Sequence, residues 1–428
     1  MVPDDLEVAK RAEVGATGDV VSVPSRAVKR AVAILVMYAV FRVAAVPALG
    51  YFRLVGEFNT AMLSQYVNVA TVALLILFGP KSLLQFRTWF HLVIIFVAVQ
   101  AALLGLLGSG DSSLWNARDY LSHIFQLFTV LVMFNVGRFV AIHIPKSYWR
   151  RIAYLSVIGA GIGLLVSANG YLSGEFGRYT AAAPLFSLAY AAAIGAPFIG
   201  ILSLIIIGFS AKRGSIVAAM SMMVAYLFSS SGQALRVGSR ARKMLFIGLF
   251  LFLVGSIFTL GAAEVSTEDG GVGVVARQTS VRIQRVVDAM LSGDPESFDS
   301  ASSGRLTEVN AALERLNPRT IVTGLGAGVS IDVSGGAGQT RQYTHFSPLG
   351  ITLVYGCLFA IFVYAFVSRE LVLAWKRQPQ IGVATRLSMF YVLSSLVSSL
   401  FAFSLFVDLL MFMFVGLLYA DNRRRIGQ

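Results

Sequence analysis

A chain of 428 residues that is 56% hydrophobic and only 13% charged is not a soluble globular protein, in which roughly a quarter of the residues carry charge. Its net charge of +13 would suit a nucleic-acid binder, but the positive residues sit in alternate loops between apolar runs, which excludes that class. The single cysteine, Cys357, excludes an intramolecular disulfide and lies inside an apolar run, where packing accounts for it.

Residues 1–27 mix Asp4, Asp5, Glu7 and Glu13 with Lys10 and Arg11 and lack an apolar centre, so they read as a polar tail rather than a signal peptide. Apolar runs follow near 31–48, 59–78, 89–107, 118–143, 152–169, 181–194, 198–210, 214–230 and 244–262, and again near 346–368, 385–402 and 404–420. Most approach the ~20 residues a helix needs to cross ~30 Å of hydrocarbon. The expected fold is therefore all-α, a polytopic membrane protein of about twelve transmembrane helices. Nine spans occupy 28–262, a large polar loop 263–345, and three spans with a basic tail 346–428. The 181–210 stretch, interrupted at Gly195-Ala-Pro197, is compatible with two short helices or one long kinked helix.

Charge distribution chooses between them. With the amino terminus inside, the short inside segments hold eighteen basic residues, among them Lys29, Arg30, Lys146, Arg150, Arg151, Arg369, Lys376, Arg377 and Arg423 to Arg425. The short outside segments hold five: Arg53, Arg118, Arg178, Lys212 and Arg213. This is a positive-inside bias. One kinked helix would invert it downstream, so two spans are expected, with both termini cytoplasmic and the 263–345 loop on the far side.

That loop carries seven arginines and ten carboxylates between Glu264 and His345. Helices are expected over Ser280–Leu291 and Ser303–Leu316. The second has Leu306, Val309, Leu313 and Leu316 on one face, a serine cap before it and Pro318 as its stop. Gly324-Leu-Gly-Ala-Gly328 and Gly335-Gly336 read as flexible turns.

Outside arginines are informative because orientation rules do not require them. Arg213 lies in the turn Ser210-Ala-Lys-Arg-Gly-Ser215, Arg178 in Gly177-Arg-Tyr-Thr180, and Arg305 opens the loop's second helix. Several guanidiniums on one face can hold a pyrophosphate bidentately; interfacial arginines also snorkel to lipid headgroups. His345, where the loop returns to the membrane, has the titration range of a general base, and a structural hydrogen bond explains a lone histidine equally well. His91, His123 and His143 read as packing or interface residues. Asp119 and Glu308 are further carboxylates on the outer side, read first as structural. No His/Cys cluster or Asp-x-Asp pair suggests a metal. Arg42 and Asp408 fall within spans, where unpaired charge is costly, so they are expected to pair or to face a polar cavity.

The order Arg178, then Ser210-Ala-Lys-Arg-Gly-Ser215, then a large outside loop with Arg305, Gly324-Leu-Gly-Ala-Gly328 and His345 resembles the O-antigen ligase and polymerase superfamily, over roughly 178–365. The resemblance implies a glycosyltransferase-C-like membrane fold in a bacterial inner membrane with a periplasmic loop. It implies a metal-independent, cofactor-free glycosyltransferase acting on undecaprenyl-diphosphate-linked oligosaccharides as donor and acceptor. Arg213 and Arg305 would grip the diphosphate, with Arg178 beside them, and His345 would orient or deprotonate the acceptor hydroxyl. Membrane lipid and a chain-length regulator are the further partners it implies, and nucleic acid is not one. Ligases of this superfamily tend to carry Asn after the histidine, where this chain has Phe346, so the expectation is a polymerase. A ligase acting on lipid A core is the near alternative. A twelve-span transporter or lipid-linked glycan flippase is the alternative of another class, although the halves show no repeat.

Overall fold

The computed structural model describes residues 24–49, 60–108, 115–172, 182–210, 213–229, 305–332, 340–341, 344, 346–377, 381–401 and 405–426, with isolated helical positions at 288, 291 and 292. The span expected near 244–262, most of the Ser280–Leu291 helix, Gly335-Gly336, Arg178 and His345 lie outside them. The described chain is almost entirely helical. Its extended pairing is two residues on each side, β1 (Ile331–Asp332) antiparallel to β2 (Thr340–Arg341).

Helix α1 (Arg26–Val40) starts at a Ser25 cap, passes through a π-helical turn at Phe41–Ala45 and continues over Val46–Leu49. Then come α2 (Thr60–Phe78), α3 (Trp89–Gly108), α4 (Ala117–Phe139), α5 (Lys146–Leu172), α6 (Leu185–Ile194), α7 (Pro197–Phe209) and α8 (Arg213–Phe228). The loop contributes α9 (Arg305–Glu314) and α10 (Pro318–Thr323), and the chain closes with α11 (Ser347–Tyr355), α12 (Cys357–Lys376), α13 (Val383–Ser399) and α14 (Leu409–Ile426). Among the described residues five helices are long and apolar enough to cross a membrane: Arg26–Ala48, Trp89–Gly108, Ala117–His143, Lys146–Asn169 and Cys357–Lys376. They keep large apolar side chains turned outward, with Phe96 68%, Leu165 71% and Ile361 64% exposed. In water such a surface would drive association; in a bilayer it is the lipid-facing girdle.

Between helices the driving force in lipid is close packing rather than hydrophobic burial, so small residues mark the contacts. Gly137 of α4 and Gly416 of α14 each lie against the other helix's backbone, at Met413 and Phe134. Gly159 and Gly163, one turn apart on α5, seat the π-helical end of α1 at Ala44 and Pro47.

The structure refines three expectations about helices. The expected span at 346–368 is broken at Gly356, whose φ of +91° closes α11 after nine residues; α12 then starts afresh. A side chain there would be strained, and its Cβ would run into the Val322 carbonyl. The 181–210 pair is two helices running in opposite directions. Ser187 donates to the Ala153 carbonyl (2.7 Å) and Tyr190 lies in the field of Arg150, so α6 heads toward the Lys146 end of α5. Ile206 of α7 comes back opposite Gly161. At 1.5 Å per residue these ten- and thirteen-residue helices are about 15 and 20 Å long, each short of a full crossing. α9 ends before Pro318 as expected, and Pro318 also opens α10 behind an Asn317–Thr320 capping box, because proline at the first helical position gives up no hydrogen bond.

The glycine-rich segment is the largest correction. It is buried and hydrogen-bonded, not a flexible turn. Leu325 and Gly326 donate to the Leu353 and Val354 carbonyls of α11 (2.7 and 3.1 Å), and Ala327 donates to Ala101 of α3 (2.8 Å). The Gly328 N–H donates to His123 Nδ1 (3.1 Å), and its carbonyl accepts from Asn116 (3.0 Å). Trp115 Nε1 donates to the Ala327 carbonyl (3.2 Å), and Gln100 Nε2 to that of Thr323 (2.8 Å). The backbone thus wedges between α3, the start of α4 and the end of α11. Helix α9 lies over it, burying Ala312 against Val329, Ile331, Leu349 and Leu353. Its buried face runs through Glu308 and Ala312; Leu313, expected inside, is 50% exposed. This defines a loop end of the bundle, opposite the basic end that carries Arg26, Lys29, Lys146, Lys376 and Arg377.

Gly326 has φ +93°, and a Cβ there would collide with the backbone of Leu104 and Gly105. Gly326→Ala is expected to cost at least the ~1–2 kcal/mol of left-handed strain, lowering the unfolding temperature of the detergent-purified protein by several degrees. Gly382→Ala, whose Cβ meets nothing within 4 Å, should leave that temperature unchanged.

Candidate functional site

Of the four residues chosen from sequence, Arg305 has a described side chain. Arg178 and His345 lie outside the described residues, and Arg213 is described by its place as the first residue of α8. Tyr226, thirteen residues on, packs on Phe390 of α13 (centroids 6.4 Å) and lies by Gly195, where α6 ends near the basic end. The Arg213 end of α8 therefore points toward the loop end. Arg305 opens α9 and is half-buried; burial pushes its guanidinium pKa down, and the neighbouring Glu308 carboxylate pulls it back up. Glu308, 1% exposed, thus belongs to the helix's own charge balance. Arg315 is committed elsewhere: its guanidinium donates to the Ser330 carbonyl (2.6 Å), tying α9 to the end of the glycine segment.

A second set of polar groups gathers inside the bundle. Tyr38 of α1 donates to Asn68 Oδ1 of α2 (2.8 Å) and bonds Arg42, which the π-helical turn places one turn on. Across from it, Tyr391 of α13 donates to both Asp408 oxygens (3.3 and 3.0 Å), and Ser395 donates to Oδ2 (3.0 Å). Asp408 precedes α14 and accepts the Met411 N–H (3.4 Å), so its charge also faces the positive end of that helix. Tyr38 and Tyr391 each lie in the fields of both Arg42 and Asp408, and Tyr391 in that of Tyr38. Arg42 and Asp408, expected to pair or to face a polar cavity, each have a tyrosine partner, Tyr38 and Tyr391, within reach of both charges' fields.

The loop's return to the bundle joins this cluster. Thr344 Oγ1 donates to the Phe346 carbonyl (2.6 Å). Ser347, buried at the start of α11, accepts the Leu405 N–H (2.9 Å), and the Tyr364 hydroxyl reaches Ser399 (2.8 Å) and Ser347. Leu405–Val407 is the 3-10 turn that leads into Asp408. The start of α11 is thus tied through Ser347 to the turn that precedes Asp408.

Sequence reasoning found Arg42 and Asp408 but missed Tyr38, Asn68, Tyr391 and Ser395. A signal existed: Tyr38 precedes Arg42 by four residues and Tyr391 precedes Ser395 by four, the spacing that puts polar groups on one helix face. Compared with protein-family models and with curated proteins, the chain matches none.

Removing the carboxylate leaves the buried Tyr391 hydroxyl without its acceptor, at about 1–3 kcal/mol for a buried donor left unmet, and takes the acceptor from the half-buried Ser395 hydroxyl as well. Asp408→Ala and Arg42→Ala are each expected to lower the unfolding temperature in detergent. The reversed pair Arg42→Asp with Asp408→Arg should recover most of the loss of either single reversal; no recovery would mean that the two charges act independently.

Proposed function

We propose that this protein is a polymerase that joins undecaprenyl-diphosphate-linked oligosaccharide repeat units at the periplasmic face of a bacterial inner membrane. The observation that carries the reading is the polar cluster of Arg42, Tyr38, Asp408, Tyr391 and Ser395 between the helices, with the loop's return tied through Ser347 to the turn before Asp408. A substrate whose anchor lies in lipid and whose reacting centre is polar needs polar groups of this kind within the bundle. In this reading Arg213 and Arg305, with Arg178, hold the donor diphosphate and stabilise the negative charge it gains as its bond to the sugar breaks. The acceptor hydroxyl forms the new glycosidic bond and gives up its proton to His345. The wedged glycine segment supports the reading by fixing α9, and so Arg305, against α11, since alignment of two lipid-anchored chains is the main demand on the enzyme.

One observation favours a second reading. The helix break at Gly356 and the Arg42 and Asp408 charges between helices also belong to secondary transporters, whose sites form at broken helices. Under that reading the chain moves a lipid-linked glycan across the bilayer.

Purified protein in detergent, given a synthetic undecaprenyl-diphosphate repeat unit without metal or nucleotide, is expected to produce a glycan ladder that persists in EDTA. Arg213→Ala and Arg305→Ala should each cut that synthesis by about 100-fold or more, the scale of a lost transition-state charge contact; Arg213→Ala should unfold at the parental temperature, whereas Arg305→Ala, which takes the cation from the buried Glu308, should also lower it. Transfer that needs lipid A core would make the protein a ligase. No transfer, with translocation in vesicles intact in the double variant, would replace the polymerase reading with the transporter.

A further inference from the structure

The basic end of the bundle holds a groove that the proposed transferase site does not use. Helices α1 and α5 are in backbone contact where Gly159 and Gly163 meet Ala44 and Pro47, toward the loop end. At its other end α1 faces the Ala141–His143 turn and the start of α5 across an open space. The gap is a cavity of about 440 Å³, within the ~300–1,000 Å³ range of sites that hold small molecules.

One wall is a single face of α1: Lys29, then Val32, Val36 and Met37, at helical spacing; His143 and Tyr148 form part of the other. Met37 is 69% exposed, so the apolar wall opens sideways to the surface that meets acyl chains. The charged side chain that lines the groove is positive, and two further cations neighbour its lining residues. Lys29 lines it, Arg424 acts electrostatically on His143, and the Arg151 guanidinium sits 5.8 Å from the centroid of the Tyr148 ring. Among the described residues that line the groove none is acidic.

We propose that this groove binds one anionic phospholipid, its phosphate at Lys29 and the Tyr148 hydroxyl and one acyl chain along Val32, Val36 and Met37. Charge complementarity selects the occupant. A void lined by apolar side chains loses dispersion contacts on every side, so in a bilayer a lipid chain fills it. A zwitterionic headgroup would bring its own cation against Lys29, Arg424 and Arg151, whereas an anionic one meets three cations. Basic pockets between spans on the cytoplasmic side recognise anionic headgroups by this arrangement. The site lies at the opposite end of the bundle from Asp408 and does not rest on the polymerase reading.

The test uses the full chain, purified in detergent, stripped of lipid and offered phosphatidylglycerol or phosphatidylcholine of identical acyl chains, with bound lipid read by native mass spectrometry. One phosphatidylglycerol per chain is expected, retained at least ~10-fold more than phosphatidylcholine and raising the unfolding temperature. Lys29→Gln should reduce that preference at least ~5-fold. Ala33→Trp, which fills the groove from the same wall, should lower retention of both lipids. Equal retention of the two lipids by the parent chain, or unchanged retention in both variants, overturns the proposal. So does an equal rise in unfolding temperature with glycerol phosphate alone, which would make the site a headgroup site without a chain. Deleting residues 1–20 is expected to leave phosphatidylglycerol retention unchanged; retention that appears only after the deletion would make that segment the occupant.

Discussion

A backbone amide placed where water cannot reach must find its partner within the protein, and the glycine segment is where this constraint organises the fold. From Leu325 to Gly328 each N–H has an acceptor: two carbonyls of α11, one of α3 and the His123 imidazole. These bonds do more than satisfy one strand of chain. They hold the end of α3, the start of α4 and the break between α11 and α12 at fixed separation, and they give α9 a floor to pack on. Side chains would defeat the arrangement, because backbone meets backbone at Gly324, Gly326 and Gly356. Small residues here serve the purpose they serve between spans, close approach without a side chain in the way.

The same requirement, applied to charge, explains the polar cluster. A carboxylate and a guanidinium inside a bundle are tolerated when hydrogen-bonded and mutually compensated. Asp408 has two hydroxyl donors, an amide and a helix N-terminus around it, and Arg42 is reached through Tyr38. The π-helical turn contributes by shifting the register of α1 at Arg42, a local cost that such turns often carry at functional positions. Because Ser347 is fixed to the turn before Asp408, the loop's geometry and the cluster's geometry are linked, and a change in one is felt by the other.

The bundle therefore has two unlike ends. At the loop end, backbone is drawn inward and polar groups lead into the core. At the basic end, an apolar groove lined by one face of α1 lies beside Lys29, His143 and Tyr148. Closer to the loop end, Gly159 and Gly163 bring α1 and α5 into backbone contact.

The sequence by itself determined the class of the protein and the position of most helices, because hydrophobic run length and loop charge are local properties that the bilayer reads directly. It also marked Arg42 and Asp408, since charge within an apolar run is visible without any contact map. It marked a polar loop with Arg305 at the head of a helix. It did not determine that Gly324-Leu-Gly-Ala-Gly328 is buried, because Thr323 and Gly328 find their partners 223 and 205 residues away, at Gln100 and His123. Glycine alone does not distinguish a free turn from a close approach. The break at Gly356 and the joining of Tyr38, Asn68, Tyr391 and Ser395 into one cluster were likewise decided by tertiary structure. Each depends on which helix lies opposite, and periodicity within one helix carries no record of its neighbour.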